Sequence, residues 1–553
     1  RGYLSSVEPL VHFGLGKTKT IDSLKVVWHN DKTSILKQIK TNQQLVIKHN
    51  ESLPNADKKV IKNPLLKDIS SKAFKNPFNH QENRFDDFKD QILLPHKLSQ
   101  NGPCITVGDV NNDGLEDFFV GGASKQSGVI YLQTKSGTFI AKKQNSLVKD
   151  AMHEDVGATF IDIDSDNDLD LYIVSGGNEF EAHSSLLQDR LYTNDGNGNF
   201  TKTENLPELT ESGSCVIPMD FDDDGDLDMF VGGRLIPKTY PYAPKSFLLE
   251  NNNGIFTDVT QNIAPELSRI GMVTSAVWSD IDGDKQNELI VVGEWMPITI
   301  FKKEKNIFKN VTQTYNLDKT SGWWNTIVAS DFDVDGDTDF IIGNLGLNYK
   351  FSASADNPFI VYANDFDKNG TNDVFLAKHY KDRVVPIRGK ECASQQIPNI
   401  SKKFKTYNEF AKADIAQIIG NTDGNALKYE AQEFASIILE NVNGKLKLKR
   451  LPIEAQFSAV NGIEVIDINN DEILDIILAG NKFEVEVETT RADQSVGLVL
   501  IGTKTGKYKV LNHLESGFFE PFNSRGLQYI RVNNRTSILS ASNNNTLKLY
   551  TIN

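Results

Sequence analysis

An acidic nonapeptide recurs seven times along this chain in one unchanging frame: DVNNDGLED from Asp109, DIDSDNDLD from Asp162, DFDDDGDLD from Asp220, DIDGDKQNE from Asp280, DFDVDGDTD from Asp331, DFDKNGTND from Asp365 and DINNDEILD from Asp467. Position 1 is always Asp, positions 3 and 5 are Asp or Asn, and position 9 is always acidic. Ca²⁺ takes about six to eight hard oxygen ligands, and a tight turn with carboxylates or amides at 1, 3, 5 and 9 and a carbonyl at 7 supplies most of them. The expected ligands are therefore Asp109, Asn111, Asp113 and Asp117, then Asp162, Asp164, Asp166 and Asp170, and Asp220, Asp222, Asp224 and Asp228. Further along they are Asp280, Asp282, Asp284 and Glu288, then Asp331, Asp333, Asp335 and Asp339. Asp365, Asp367, Asn369 and Asp373, with Asp467, Asn469, Asp471 and Asp475, complete the set.

An EF-hand opens the same way but needs flanking helices and a bidentate Glu at position 12. Position 12 here is Val120, Ile173, Val231, Val291, Ile342, Leu376 or Leu478, which excludes it. Each loop runs instead into a short β-branched and aromatic segment such as FFVGG, LYIVSGG, MFVGG or FIIGN, the pattern of a strand buried on both faces.

The loops hold 31 of the chain's 74 acidic residues and account for much of its net charge of −15. That charge argues against nucleic acid or an anionic membrane surface as partner. Seven divalent ions would bring roughly +14 and nearly cancel it. Open loops of this kind bind calcium at about 10⁻⁴ to 10⁻³ M, a range suited to the outside of a cell. Three cysteines, Cys104, Cys215 and Cys392, give no disulfide framework, and the first two read as small buried hydrophobes. No apolar run approaches the roughly 20 residues that span a bilayer. The opening GYLSS reads as mid-domain sequence, so an export signal or lipid anchor is expected upstream.

The loop starts lie 53, 58, 60, 51, 34 and 102 residues apart, the range of four-stranded propeller blades. In the copy at Asp220, SCVIPMDFD, LDMFVGG, KSFLLEN and NGIFTDVT read as four successive strands. The prediction is an all-β, seven-bladed propeller over residues 84–553, with eight blades as the alternative. Seven follows if one blade is interrupted by an insertion at about 358–433, carrying the loop at Asp365 and a helix over ISKKFKTYNEFAKADIAQIIG. At the end of the chain LQYIRV, SILSASN and LKLYTI give three strands without a fourth, and NRFDDFKD around Phe85 is expected to supply it. Residues 1–50 read as part of a separate small β module with a hairpin around HNDK, and 51–83 as a linker.

GYLSSVEPLVHFGLGKTKTIDSLKVVWHNDKTSILKQIKTNQQLVI resembles the latter part of an ASPIC/UnbV module, and the acidic loops resemble FG-GAP/VCBS repeats of the type in integrin α-chain propellers. Together with HQENRFDDFKDQILLPHKLSQNGP, GNLGLNYKFSAS and RGKECASQQIPNISKKFKTYNEFA, they are similar to bacterial relatives of the cartilage acidic protein family. The resemblance implies a secreted or surface-attached protein, often a lipoprotein in bacteria with outer-membrane glycan and peptide importers, and no known reaction. The pattern is broken at Asn167, Lys285 and Glu472, where the turn glycine is absent. Lys and Glu tolerate a left-handed backbone poorly, which puts calcium in question at Asp280 and Asp467, as low acidity does at Asp365.

Calcium would rigidify one face of the ring and leave the other to recognise a protein or glycan. On that face the sequence places Glu179, Arg234, Glu294, Trp295 and Asn344 just after second strands, with Trp323 and Trp324 before a first strand. Trp rings beside amides and carboxylates suit sugar stacking, while the plainer reading makes them wedges between blades. No catalytic motif is present, so the sequence points to a calcium-stabilised binding or adhesion protein, with membership of an outer-membrane uptake or surface complex as its setting. A propeller polysaccharide lyase or hydrolase is the alternative.

Overall fold

The computed structural model describes residues 8, 10–29, 32–49, 52–54, 63–420, 425–504 and 506–553. The start of the GYLSSVEP segment, the tip of the HNDK turn and the stretch from 55 to 62 lie outside the described residues. The chain divides into two compact units, Arg1–Asn63 and Pro64–Asn553.

In the first unit Thr20–Val27 pairs antiparallel with Lys32–Lys40, setting Leu24 opposite Leu36, and Leu53–Pro54 adds a short third strand. Trp28 donates from its indole nitrogen to Ser34 Oγ at 3.0 Å and meets the His49 ring edge-on.

The second unit is built from four-stranded antiparallel sheets, one of which gains a fifth strand, Gly322–Trp323, beside Glu288–Met296. In the Asp220 blade the strands Ser212–Met219, Asp228–Leu235, Phe247–Asn252 and Ile255–Asp258 lie in sequence order. Every residue of Asp228–Leu235 is buried, because neighbouring sheets stack on both of its faces. That is why these second strands are apolar without alternation. Tyr172 and Val174 of one blade pack with Met229 and Val231 of the next, and Phe230 and Leu248 with Leu289 and Val291 beyond. The core thus lies between sheets, each large apolar side chain contributing about 1.5–3 kcal/mol.

The first strands are Ile105–Gly108, Asp155–Ile161, Ser212–Met219, Met272–Ser279, Thr326–Ser330, Gly462–Ile466 and Ser524–Val532. They touch one another in cyclic order, the last meeting the first, so the sheets form a closed propeller ring. The blade begun by Thr326–Ser330 and Asp339–Gly343 is finished by Ile437–Asn441 and Leu446–Arg450. Between its halves, Phe359–Asn364, Asp373–Tyr380, Arg383–Pro386 and Leu427–Ala431 form a sheet of their own, outside this ring of first strands.

Three expectations are corrected. The strand that closes the ring is Leu66–Asp68, paired with Lys548–Ile552 so that Tyr550 faces Asp68, and not the segment around Phe85. The range read as linker therefore contains part of the propeller. The phrase Asp68-Ile69-Ser70 repeats the outer-strand phrase Asp258-Val259-Thr260: each Asp Oδ1 accepts from the backbone N–H and hydroxyl two residues on, and each hydroxyl in turn accepts a backbone N–H of the third strand, from Leu549 and Leu248. Around Phe85 the chain instead turns into the short helix Asp87–Asp90, capped by Asp86. Lastly, the single helix expected over ISKKFKTYNEFAKADIAQIIG is three, Asn399–Lys403, Tyr407–Lys412 and Ile415–Ile419. Thr406 with Glu409 and Asp414 with Gln417 form capping boxes that restart the helix twice. Among the described residues no helix is long and apolar enough to cross a membrane.

Candidate metal loops and the covered face

All seven acidic loops share one backbone. Position 4 is left-handed in each, from Asn112 at φ 56° to Gly283 at 78°, and so is position 6, from Glu472 at 66° to Gly225 at 100°. The position-6 N–H donates to the position-1 carboxylate at 2.8–3.1 Å. The position-7 N–H donates to the side chain at position 5 at 2.7–3.0 Å. Lys285 and Glu472 therefore adopt the turn that glycine adopts elsewhere, at a cost of roughly 1 kcal/mol each.

This turn brings carboxylates from positions 1, 3 and 9 together. In the loops at Asp162, Asp220, Asp280, Asp331 and Asp365, one oxygen from each of the three lies within 4.8 Å of the others. At Asp109 and Asp467 the third position is an amide, Asn111 or Asn469. The side chains at position 5, expected as ligands, lie outside these groups and serve as turn acceptors. Asp162 Oδ1 and Asp367 Oδ1 are buried without a hydrogen-bond partner, as suits atoms that face a cation. The clusters are compatible with calcium.

Position 9 is also a structural pin. One oxygen accepts from the position-2 N–H, as in Asp228 from Phe221 at 3.0 Å, and the other from the third strand, as in Asp228 from Asn251 N–H at 2.8 Å. Asp117, Asp170 and Asp475 do the same. Burial raises the carboxyls of Asp117, Asp170, Asp228, Asp339 and Asp373 to about 7, and that of Asp475 to about 6.

A second recurring contact ties four of the loops to the next blade. The amides of Asn194, Asn251 and Asn441 donate at 2.8–2.9 Å to the position-2 carbonyls of the preceding loops, Val110, Ile163 and Ile281. Lys303 makes the equivalent bond to Phe221 O at 2.7 Å, and Gln133 reaches Arg531 O at 3.0 Å. These residues were not anticipated, although the phrase Asn-x-x-Gly at 251–254 and 441–444 repeats in the sequence.

On the opposite face, the residues expected to bind a ligand are largely covered. The segment from Asn79 to Asn101 bonds in turn to residues of several blades. Asn83 donates to Glu179 Oε1 at 3.1 Å, Asn178 to Asp87 Oδ1 at 2.9 Å, and Gln91 exchanges two 3.0 Å bonds with the Tyr240 backbone. Arg234 donates to Glu294, which also accepts from the Tyr240 hydroxyl at 2.6 Å and lies 3.3 Å from His96 Nε2. Burial works to raise the Glu294 carboxyl, and His96, Arg234 and Lys482 outweigh it, holding it well below its ordinary range.

Trp295, Trp323 and Trp324 are 4%, 2% and 0% exposed, which corrects their expected role as open stacking surfaces. Trp323 is ringed by His96, Trp295, Phe351, Phe359 and Phe434, and Trp324 donates to Thr320 O at 3.0 Å. Asn344 is buried and spends its amide on Glu433 O and Ala435 O, clipping the interrupted blade to its returning strand. Large rings left half-open would expose apolar area, and here Phe359 of the insertion, with His96, Phe351 and Phe434 outside it, covers Trp323. Of the expected set, Glu294 and Trp295 still reach a cleft of about 550 Å³, walled on the other side by Lys428, Tyr429, Glu430 and Gln432.

Comparison with known proteins matches residues 1–54 to ASPIC and UnbV, and residues 109–173, 162–231 and 280–342 to FG-GAP-like repeats. A search of curated proteins finds no match. Similar solved structures include BBS1N in complex with ARL6DN, at 8% identity and TM-score 0.39, covering 86% of this chain and 97% of that one. The Dos1 propeller aligns at 10% identity and TM-score 0.38, and YCF48 bound to D1 peptide at 10% and 0.36, each covering 83% of this chain and 94% of the other. The chain thus carries an ASPIC and UnbV match at residues 1–54 and three FG-GAP-like repeats within a closed β-propeller.

Proposed function

We propose that this protein is a calcium-stabilised binding or adhesion protein of the cell surface or extracellular space, working within an outer-membrane uptake or surface complex. The observation that carries this reading is the convergence of three carboxylates in each of five loops that share one backbone. Bound calcium would neutralise those carboxylates and brace the turn joining the first and second strands. The residues at positions 1, 3 and 9 would hold it. Open loops of this kind bind calcium at about 10⁻⁴ to 10⁻³ M, which supports a location where calcium is about millimolar.

Recognition is assigned to the cleft beside Glu294 and Trp295, whose mix of ammonium, carboxylate, amide and phenol groups suits a polar segment of protein or glycan. Glycan-array binding and affinity capture from outer-membrane extract, each run in calcium and in chelator, test the reading. Calcium-dependent capture that is lost in Lys428→Glu is expected. Capture indifferent to both calcium and Lys428, or turnover of a polysaccharide, overturns it.

A further inference from the structure

The loop at Asp280 differs from the others in what faces it. Lys302, on the strand Thr299–Glu304, places Nζ 2.5 Å from Asp282 Oδ2, 2.7 Å from Asp284 Oδ2 and 2.9 Å from Glu288 Oε1. An ammonium thus sits against the position 3, 5 and 9 carboxylates of one loop and donates to Asp282.

Strand register sets this blade apart from the other five of the ring that carry an acidic loop. Leu289, directly after position 9, faces Phe301, and Lys302 follows it. The matching pairs elsewhere are Phe118 with Tyr131, Leu171 with Tyr192, Met229 with Leu249, Phe340 with Leu439 and Ile476 with Leu500. The residues that follow, and so correspond to Lys302, are Leu132, Thr193, Glu250, Glu440 and Ile501. Two are acids, the charge a cation site favours, and none is basic.

A divalent ion held by positions 1, 3 and 9 at about 2.3–2.6 Å would share Asp282 and Glu288 with Lys302 and would therefore crowd a like charge already held there. The residues of this loop do not fit the ion that those of the Asp162, Asp220 and Asp331 loops fit. We propose that the Lys302 ammonium closes the Asp280 loop in place of a divalent cation, giving the ring one acidic loop that is independent of metal. Only the contrast with the other loops rests on the calcium reading above.

Crystals of the full chain soaked in Mn²⁺, a calcium substitute with a usable anomalous signal, test this loop by loop, with Lys302→Met beside the parent protein. The parent is expected to keep Lys302 in place with no anomalous peak at Asp280, Asp282 and Glu288, while Lys302→Met gains one there. A peak at that loop in the parent, with Lys302 swung away, overturns the proposal, and so does a Lys302→Met loop that stays without metal. The calcium reading is judged separately by the peaks at Asp162, Asp220 and Asp331. Metal there with none in Lys302→Met sinks only the proposal, and metal in Lys302→Met alone sinks only the calcium reading. If Lys302→Met does not fold, the parent crystal decides by itself.

Discussion

The Asp220 and Asp280 blades are built alike and balanced differently. Both have four strands in order, the same left-handed positions 4 and 6, and a position-9 acid buried under the third strand. In the Asp220 loop Lys303 bonds Phe221 O and lies 3.7 Å from Asp223 Oδ2, among the described residues no ammonium pairs with Asp220, Asp222 or Asp228, and the register position above them is Glu250. In the Asp280 loop that position is Lys302, already paired. Identical geometry can thus be completed by an ion from solution or by a side chain, and only the first makes a blade depend on its surroundings.

The largest expected effect that sharpens this contrast is chelation. At about 2 mM free calcium and a dissociation constant of about 10⁻⁴ M, each occupied loop stabilises the fold by about 1.8 kcal/mol. Removing calcium from several loops should therefore lower the melting temperature by several degrees in differential scanning calorimetry. An unchanged melting curve in chelator breaks the contrast.

Next comes pH in the chelated protein. The position-9 acids are raised from 3.8 to about 7 by burial, so the folded state binds more protons than the unfolded one between those values. Their contribution to stability is present at low pH and lost as pH rises toward 7. Chelated protein should melt higher at pH 5.5 than at pH 7.5, and calcium should reverse the order, since protons and calcium compete for the same oxygens.

Asn251→Ala removes the amide that bonds Ile163 O and the acceptor for Gly254 N–H, leaving buried backbone groups unpaired. A loss of about 1–3 kcal/mol in urea unfolding is expected, with or without calcium. The smallest effect is a gain. Val334 holds φ 60° at position 4 while 66% exposed, so Val334→Gly should relieve strain at little packing cost, adding up to about 1 kcal/mol.

The loops were legible in sequence because their ligands lie within nine residues and the turn is local. The interrupted blade was legible because its returning strands repeat the phrase of complete blades. The closing strand was missed because Leu66–Asp68 is three residues long and has Leu where four other outer strands have Phe139, Phe200, Phe256 and Phe308. The NRFDDFKD segment imitated that phrase, but Asp87 is a buried knot accepting from Leu98, Ser99 and Asn178. The covered face was not legible either, since what buries Trp323 comes from residues 96, 351, 359 and 434, far apart along the chain. Lys302 reads as a surface lysine until strand register places it over a loop some 20 residues earlier.

Hydrogen–deuterium exchange tests most directly whether a bound ion braces these turns. On adding chelator, the amides of Phe221 and Asn251, which donate to Asp228, should exchange faster, while Ile281, which donates to Glu288 at 2.8 Å beside Lys302, should not change. Equal acceleration in both blades, or none in either, would contradict the account.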